Sequence, residues 1–155
     1  MPNLEEMANG WLEACQKEIT EQGDIDPTLF LFFQDGTVAR LRVLDLEHKA
    51  QLAESLPRLV ARISADHDGS PLVLAMFGST GWSSAQREAA PSQAADRQEV
   101  LVVEGAVQGR AQLVVVPIRR AENQTPSFGE PVRQTANFPF SRFLLPLFVP
   151  DGPRH

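Results

Sequence analysis

Cysteine is almost missing from this sequence. Cys15 stands alone, so no internal disulfide can form, and a reducing cytoplasm is the expected location. Positive charge is also scarce: 14 Lys and Arg stand against 20 Asp and Glu, giving a net charge of −6 and a pI near 5.0. That balance favours solubility and argues against nucleic acid as a partner, which requires clustered Lys and Arg. The acids form no block or tail and read as solvated surface. Long apolar runs are absent too. The densest stretch, 138 to 150, is broken by Pro139, Arg142 and Pro146. It falls short of the ~20 residues that a membrane helix needs, so no membrane partner is expected. The opening residues lack the basic and apolar segments of a secretory signal, and none is expected.

What is present suits one small domain. The chain has 155 residues, with 43% hydrophobic and 22% charged, enough to bury a core without metal or disulfide staples. The expected organisation is a single domain over 1–155. It comprises an N-terminal helix at 3–22, a sheet and helix core at 27–120 and a C-terminal arm at 121–155. In the first segment Leu4, Met7, Ala8, Trp11, Leu12, Cys15 and Ile19 keep helical spacing. Asn3 is placed to cap the helix and Gly23 to stop it.

Leu29 to Phe33 and Thr37 to Leu44 flank Asp35-Gly36, the signature of a type I′ hairpin. Arg40 and Arg42 then share one strand face, and Ala39, Leu41 and Val43 the other. A second helix is expected from Leu46 to Ser64, capped by Asp45 and kinked or divided at Pro57. Pro71 to Phe77 reads as a buried strand, followed by a long connection over 79–97. Glu99 to Glu104 and Gln112 to Ile118 read as strands around a longer hairpin loop, Gly105 to Arg110. The fold class expected is α+β. It has about five mostly antiparallel strands, two main helices packed on one face, and an extended Pro/Phe-rich C-terminal tail.

One stretch resembles a known group. Ala94 to Val103 with Asp96-Arg97-Gln98-Glu99, a hairpin, and Val116-Pro117-Ile118-Arg119-Arg120 are similar to a group of small bacterial proteins of unknown function. In those a strand ends in a Ser-acid-Ala-Trp segment. Here that segment is Ser79-Thr80-Gly81-Trp82, with Thr80 in place of the acid and Gly81 in place of the alanine. The resemblance covers roughly residues 29 to 130. It implies the strands and no catalytic motif.

Four constellations invite chemistry, each with a plainer reading. Asp66, His67 and Asp68 put three candidate metal ligands in one loop, where a solvated turn would also place them. Ser79, Ser83 and Ser84 follow a strand and would need His48 or His67 as a base. They lack the Gly-x-Ser-x-Gly elbow. Gly78 to Gly81 has the order of an anion cradle, without the lysine of a phosphate loop; a simple turn is the alternative. Arg40, Arg42, Arg58 and Arg62 would hold an acidic partner if their faces met, and otherwise form ordinary charged surface. Cys15, on the apolar helix stripe, reads as an inert core thiol.

The reading that follows is a non-catalytic interaction or accessory module needing no cofactor. It is expected to self-associate through the N-terminal helix or the C-terminal arm, with Trp11, Phe138, Phe140, Phe143 and Phe148 as interface residues. A further protein partner is also allowed. The alternative is a small hydrolase or ligand-binding enzyme using the Ser79 to Ser84 loop with a histidine.

Overall fold

A computed structural model describes residues 3–42, 49–83, 97–122, 124–137, 140 and 144–148. Helix α1 (Leu4–Gln22) starts where the sequence places it. Asn3 Oδ1 accepts the Glu6 N–H at 3.1 Å, and Glu5 and Glu6 occupy the first turn, where the helix dipole favours acids. Gly23 ends the helix at φ 90°, its N–H donating to the Ile19 carbonyl at 2.8 Å. A glycine takes this left-handed cap at little steric cost. Leu4, Ala8, Leu12, Cys15 and Ile19 are buried as one stripe.

Strands β1 (Thr28–Phe33) and β2 (Val38–Arg42) form the expected hairpin. The turn differs in type. Of its residues only Gly36 takes a positive φ, 93°, whereas a type I′ turn needs two such residues. The Asp35 carboxylate accepts the Thr37 N–H at 2.9 Å, and the Phe33 N–H donates to the Thr37 carbonyl at 2.9 Å. Helix α2 (Lys49–Asp66) runs undivided through Pro57. Its expected cap, Asp45, lies outside the described residues.

The remaining strands are β3 (Leu72–Ser83), β4 (Gln98–Val107), β5 (Arg110–Arg119), β6 (Ser127–Phe128) and β7 (Val132–Ala136), followed by the single turn α3 (Leu145–Phe148). The sheet order is β2-β1-β3-β4-β5-β6, with β7 also on β5, and every pairing is antiparallel. The α+β class is as expected, but the sheet has seven strands rather than about five. Two come from the arm, where prolines had argued against regular structure. β6 and β7 are short pieces that pair along one side of β5, between Pro126 and Pro131 and after it. Strand β3 runs on through Gly78 and Gly81, so the connection expected from residue 79 starts later. Residues 84–96 lie outside the described set. Strand β4 likewise continues through Gly105, which leaves a hairpin of two residues, Gln108 and Gly109.

The two main helices do not share a face. Leu29, Leu31 and Phe33 of β1 point with Ala75, Phe77, Ala106 and Ala111 toward α2, around buried Leu56. Phe30, Leu74, Met76, Leu101, Val103, Val114 and Val116 lie on the other side under α1. The cause is legible in β1 itself: Leu-Phe-Leu-Phe-Phe is apolar in both registers, and a strand buried on both faces needs cover on both. The last described residues of the arm join the α2 side. Leu144 is fully buried there, and Phe140, Leu147 and Phe148 pack against the same cluster.

Helix α1 lies close to the sheet because two glycines admit it. A Cβ on Gly78 would sit 2.5 Å from Trp11 Nε1, and one on Gly105 would sit 2.8 Å from Leu4 Cδ1. The Trp11 ring meets Phe30 edge-on at 4.7 Å between centroids. Glu5 pairs with Arg110 at 2.8 Å, and Asn9 accepts from Arg133 at 2.6 Å, which ties α1 to β5 and β7.

Candidate functional site

The serines and His67 stand at opposite ends of one strand. Leu72 pairs with Phe33 beside the β1–β2 hairpin, and the His67 loop sits at that same end. Ser79 lies seven residues further along β3, roughly 23 Å at about 3.3 Å per residue, and Ser83 is further still. Ser79 is buried within the strand opposite Val102, and Ser83 pairs with Gln98. A base must come within hydrogen-bond reach of its nucleophile or its bound water, and His67 does neither here. Ser84 and His48 fall outside the described residues.

The His67 loop is a brace. His67 Nδ1 lies 3.2 Å from Thr37 Oγ1 and 3.6 Å from the Asp35 carboxylate, and the Ser70 hydroxyl accepts the Asp35 N–H at 2.9 Å. Asp68 takes φ 58°, and the His67 and Gly69 amides both return to the Ser64 carbonyl. The Thr37 hydroxyl, with the Thr37 amide and the His67 charge, holds the Asp35 carboxyl below its usual range. These bonds join the hairpin tip to the end of α2. Asp66, His67 and Asp68 do not gather: among the described residues no three His, Cys, Asp or Glu side chains converge as a metal site would require.

The expected cradle is not a turn. Gly78 to Gly81 lie within β3, the space over Gly78 is filled by Trp11, and Thr80 Oγ1 donates to the Asp24 carboxylate at 3.2 Å. A carboxylate at that position repels phosphate. The arginines divide between faces. Arg40 reaches over the Phe30 ring at 5.8 Å on the α1 side, whereas Arg58 and Arg62 are exposed on α2, which covers the opposite side. Cys15 is fully buried, and burial, helped by the Glu18 charge, pushes its thiol up to about 12. That excludes a ready thiolate. Of the expected interface residues, Trp11 is half-buried under its own helix, Phe140 and Phe148 are half-buried on the α2 side, and Phe138 and Phe143 lie outside the described residues.

A different surface emerges at the β2 edge. Helix α1 covers β3, β4 and β5 and stops short of β2. Between them runs an apolar groove of about 280 Å³ lined by Met7, Gly10, Trp11, Phe30, Phe32 and Met76, with Glu6 at its helical rim. A second hollow meets it at Phe32 and passes Val38 and Thr37 to the hairpin. Val38 is 51% exposed. Among the described residues no strand pairs with the outer side of β2. Phe33 and Thr37 bond across the hairpin, so the alternation of antiparallel bonds turns Ala39 and Leu41 inward. The N–H and C=O groups of Val38, Arg40 and Arg42 then point outward. Sequence reasoning named Trp11 as an interface residue but missed this surface, because Phe30 and Phe32 sit in an apolar strand run that reads as core. The one available signal was the Arg40 and Arg42 alternation, which marks a wet strand face. It also missed Glu104, buried on the α2 side opposite Phe77 and Leu113 and engaged within the chain.

No protein-family model, curated protein or solved structure matches this chain. Among the described residues no helix is long and apolar enough to cross a membrane.

Proposed function

We propose that this chain is a non-catalytic protein-interaction module whose docking surface is the outer edge of β2 with the groove beside it. One observation carries the reading: among the described residues, a strand edge with no partner adjoins an apolar groove that α1 leaves open. Exposed edges are sites of strand addition by other chains. The separation of His67 from Ser79 and Ser83 removes that histidine's support from the hydrolase alternative. The described part of the arm pairs with β5 through β6 and β7 and packs its last residues on the α2 side, so we assign docking to β2 rather than to the arm. A reducing cytoplasm is the compartment that suits the single buried thiol of Cys15.

Site-specific photo-crosslinking in cells tests this. A photoreactive phenylalanine at Val38 or Met7 should trap a discrete protein, one at exposed Gln134 on β7 should not, and Phe32→Asp should abolish the product. The same products from all three positions, or none from Val38 and Met7, would remove the reading.

A further inference from the structure

The β2 edge carries its own specificity, because its two faces differ. Arg40 and Arg42 project on the α1 side, both exposed, and Val38 stands with them. Ala39 and Leu41 project on the other side, half-buried against the Leu29, Leu31 and Leu56 cluster. Any strand laid beside β2 must alternate in the same rhythm, since side-chain period is two. On one face its residues meet two guanidinium groups; on the other they extend an apolar core.

Among the described residues those guanidiniums are weakly committed. Arg42 stands 3.7 Å from Asp26, with both side chains more than half exposed, and Arg40 leans over Phe30. Exposed pairs of this kind contribute little and exchange readily for a better partner. Charge also decides who that partner is not. A second copy pairing β2 with β2 about a two-fold axis aligns the whole strand only when centred on Arg40. That register sets Arg40 opposite Arg40, and like charges directly opposite destabilise a sheet.

We infer that the β2 edge takes an extended segment of another protein that alternates acidic and apolar residues, adding it as an outer antiparallel or parallel strand. The inference rests on the reading of this edge as a docking surface. Carboxylates on the α1 side meet Arg40 and Arg42, and apolar side chains on the α2 side continue the row of Ala39 and Leu41. Main-chain groups of Val38, Arg40 and Arg42 supply the ladder. Glu6, at the far rim of the groove, discourages acids there and keeps them on the β2 side.

The test uses the full chain and two end-blocked, fluorescein-labelled peptides of about ten residues, ample for a short strand. One alternates glutamate with valine, the other lysine with valine. Fluorescence anisotropy should show the glutamate peptide binding and the lysine peptide not, with binding weakened by salt. The double variant Arg40→Glu, Arg42→Glu should lose the glutamate peptide by about tenfold or more and gain the lysine peptide. Val38→Pro, which removes one outward N–H at an edge that tolerates proline, should weaken the glutamate peptide while circular dichroism stays unchanged. Equal binding of both peptides, or an unchanged glutamate affinity in the double variant, overturns the inference. So does an absence of binding when photo-crosslinking at Val38 succeeds. In that last case the docking surface stands and only its acidic partner falls; failure of both experiments removes the surface itself. A dimer in sedimentation that Arg40→Glu strengthens would also overturn it, by assigning the edge to a second copy.

Discussion

The two faces of this sheet are filled by opposite means. On the α2 side, space is occupied by large aliphatic and aromatic side chains, Leu29, Leu31, Phe33, Leu56, Phe77 and Leu144, set around small Ala75, Ala106 and Ala111. On the α1 side, two glycines remove side chains so that the helix itself comes down onto the strands. One face is held by volume and the other by close approach. The difference teaches where each is vulnerable: the first to losing atoms, the second to gaining them.

Leu31→Ala should therefore have the largest effect, about 2 to 5 kcal/mol in urea unfolding, since the residue is fully buried and its neighbours cannot all collapse into the gap. A loss below 1 kcal/mol would mean the α2 side is loosely filled, which ends the contrast. Gly78→Ala adds a single carbon to the other face and should cost about 1 to 3 kcal/mol, because Trp11 must move. Gly81→Ala, with nothing within 4 Å of the added carbon, should be close to neutral. Equal effects at the two glycines would refute the close-approach account, and rescue of Gly78→Ala by Trp11→Leu would strengthen it.

Alkali sharpens the contrast further. The folded state holds the Cys15 proton until about 12, while an unfolded chain releases it near the ordinary value of 9. Between those values the folded chain binds more protons, so stability is intact below pH 9 and falls as pH rises toward 12. The fall should be about 1.4 kcal/mol at pH 10 and should vanish in Cys15→Ala, which a pH series of urea midpoints would show. The same slope in both proteins would place its origin elsewhere. Last comes Asn3→Ala, which removes the cap of α1 and should cost about 1 kcal/mol while leaving the α2 side untouched. Amide exchange that rises in α2 as much as in α1 would show that the two faces unfold as one.

Much of this fold was legible because local chemistry and tertiary demand agreed. The Asn3 cap, the seven-residue apolar stripe and Gly23 all describe one helix, and Asp35-Gly36 describes one hairpin. Legibility failed where glycine served packing instead of turning. Gly78 and Gly105 read as strand ends, yet both lie mid-strand because a helix crosses above them, which no local pattern encodes. The faces were misjudged because apolar residues on both sides of β1 fit either arrangement until the partners are known. The candidate site stayed hidden for a related reason. Phe30 and Phe32 look like core, and only the extent of α1 reveals that, among the described residues, the sheet near β2 is left open.

The seat of α1 also has a consequence in time. In the chain α1 precedes the strands it covers, and it rests on Gly78, Val103, Val114 and Val116, which lie well downstream. Roughly a hundred residues must follow Cys15 before its cover is complete, and ribosomes add about 5 to 20 residues each second. For about 5 to 20 s the apolar stripe of α1 therefore waits with its cover incomplete.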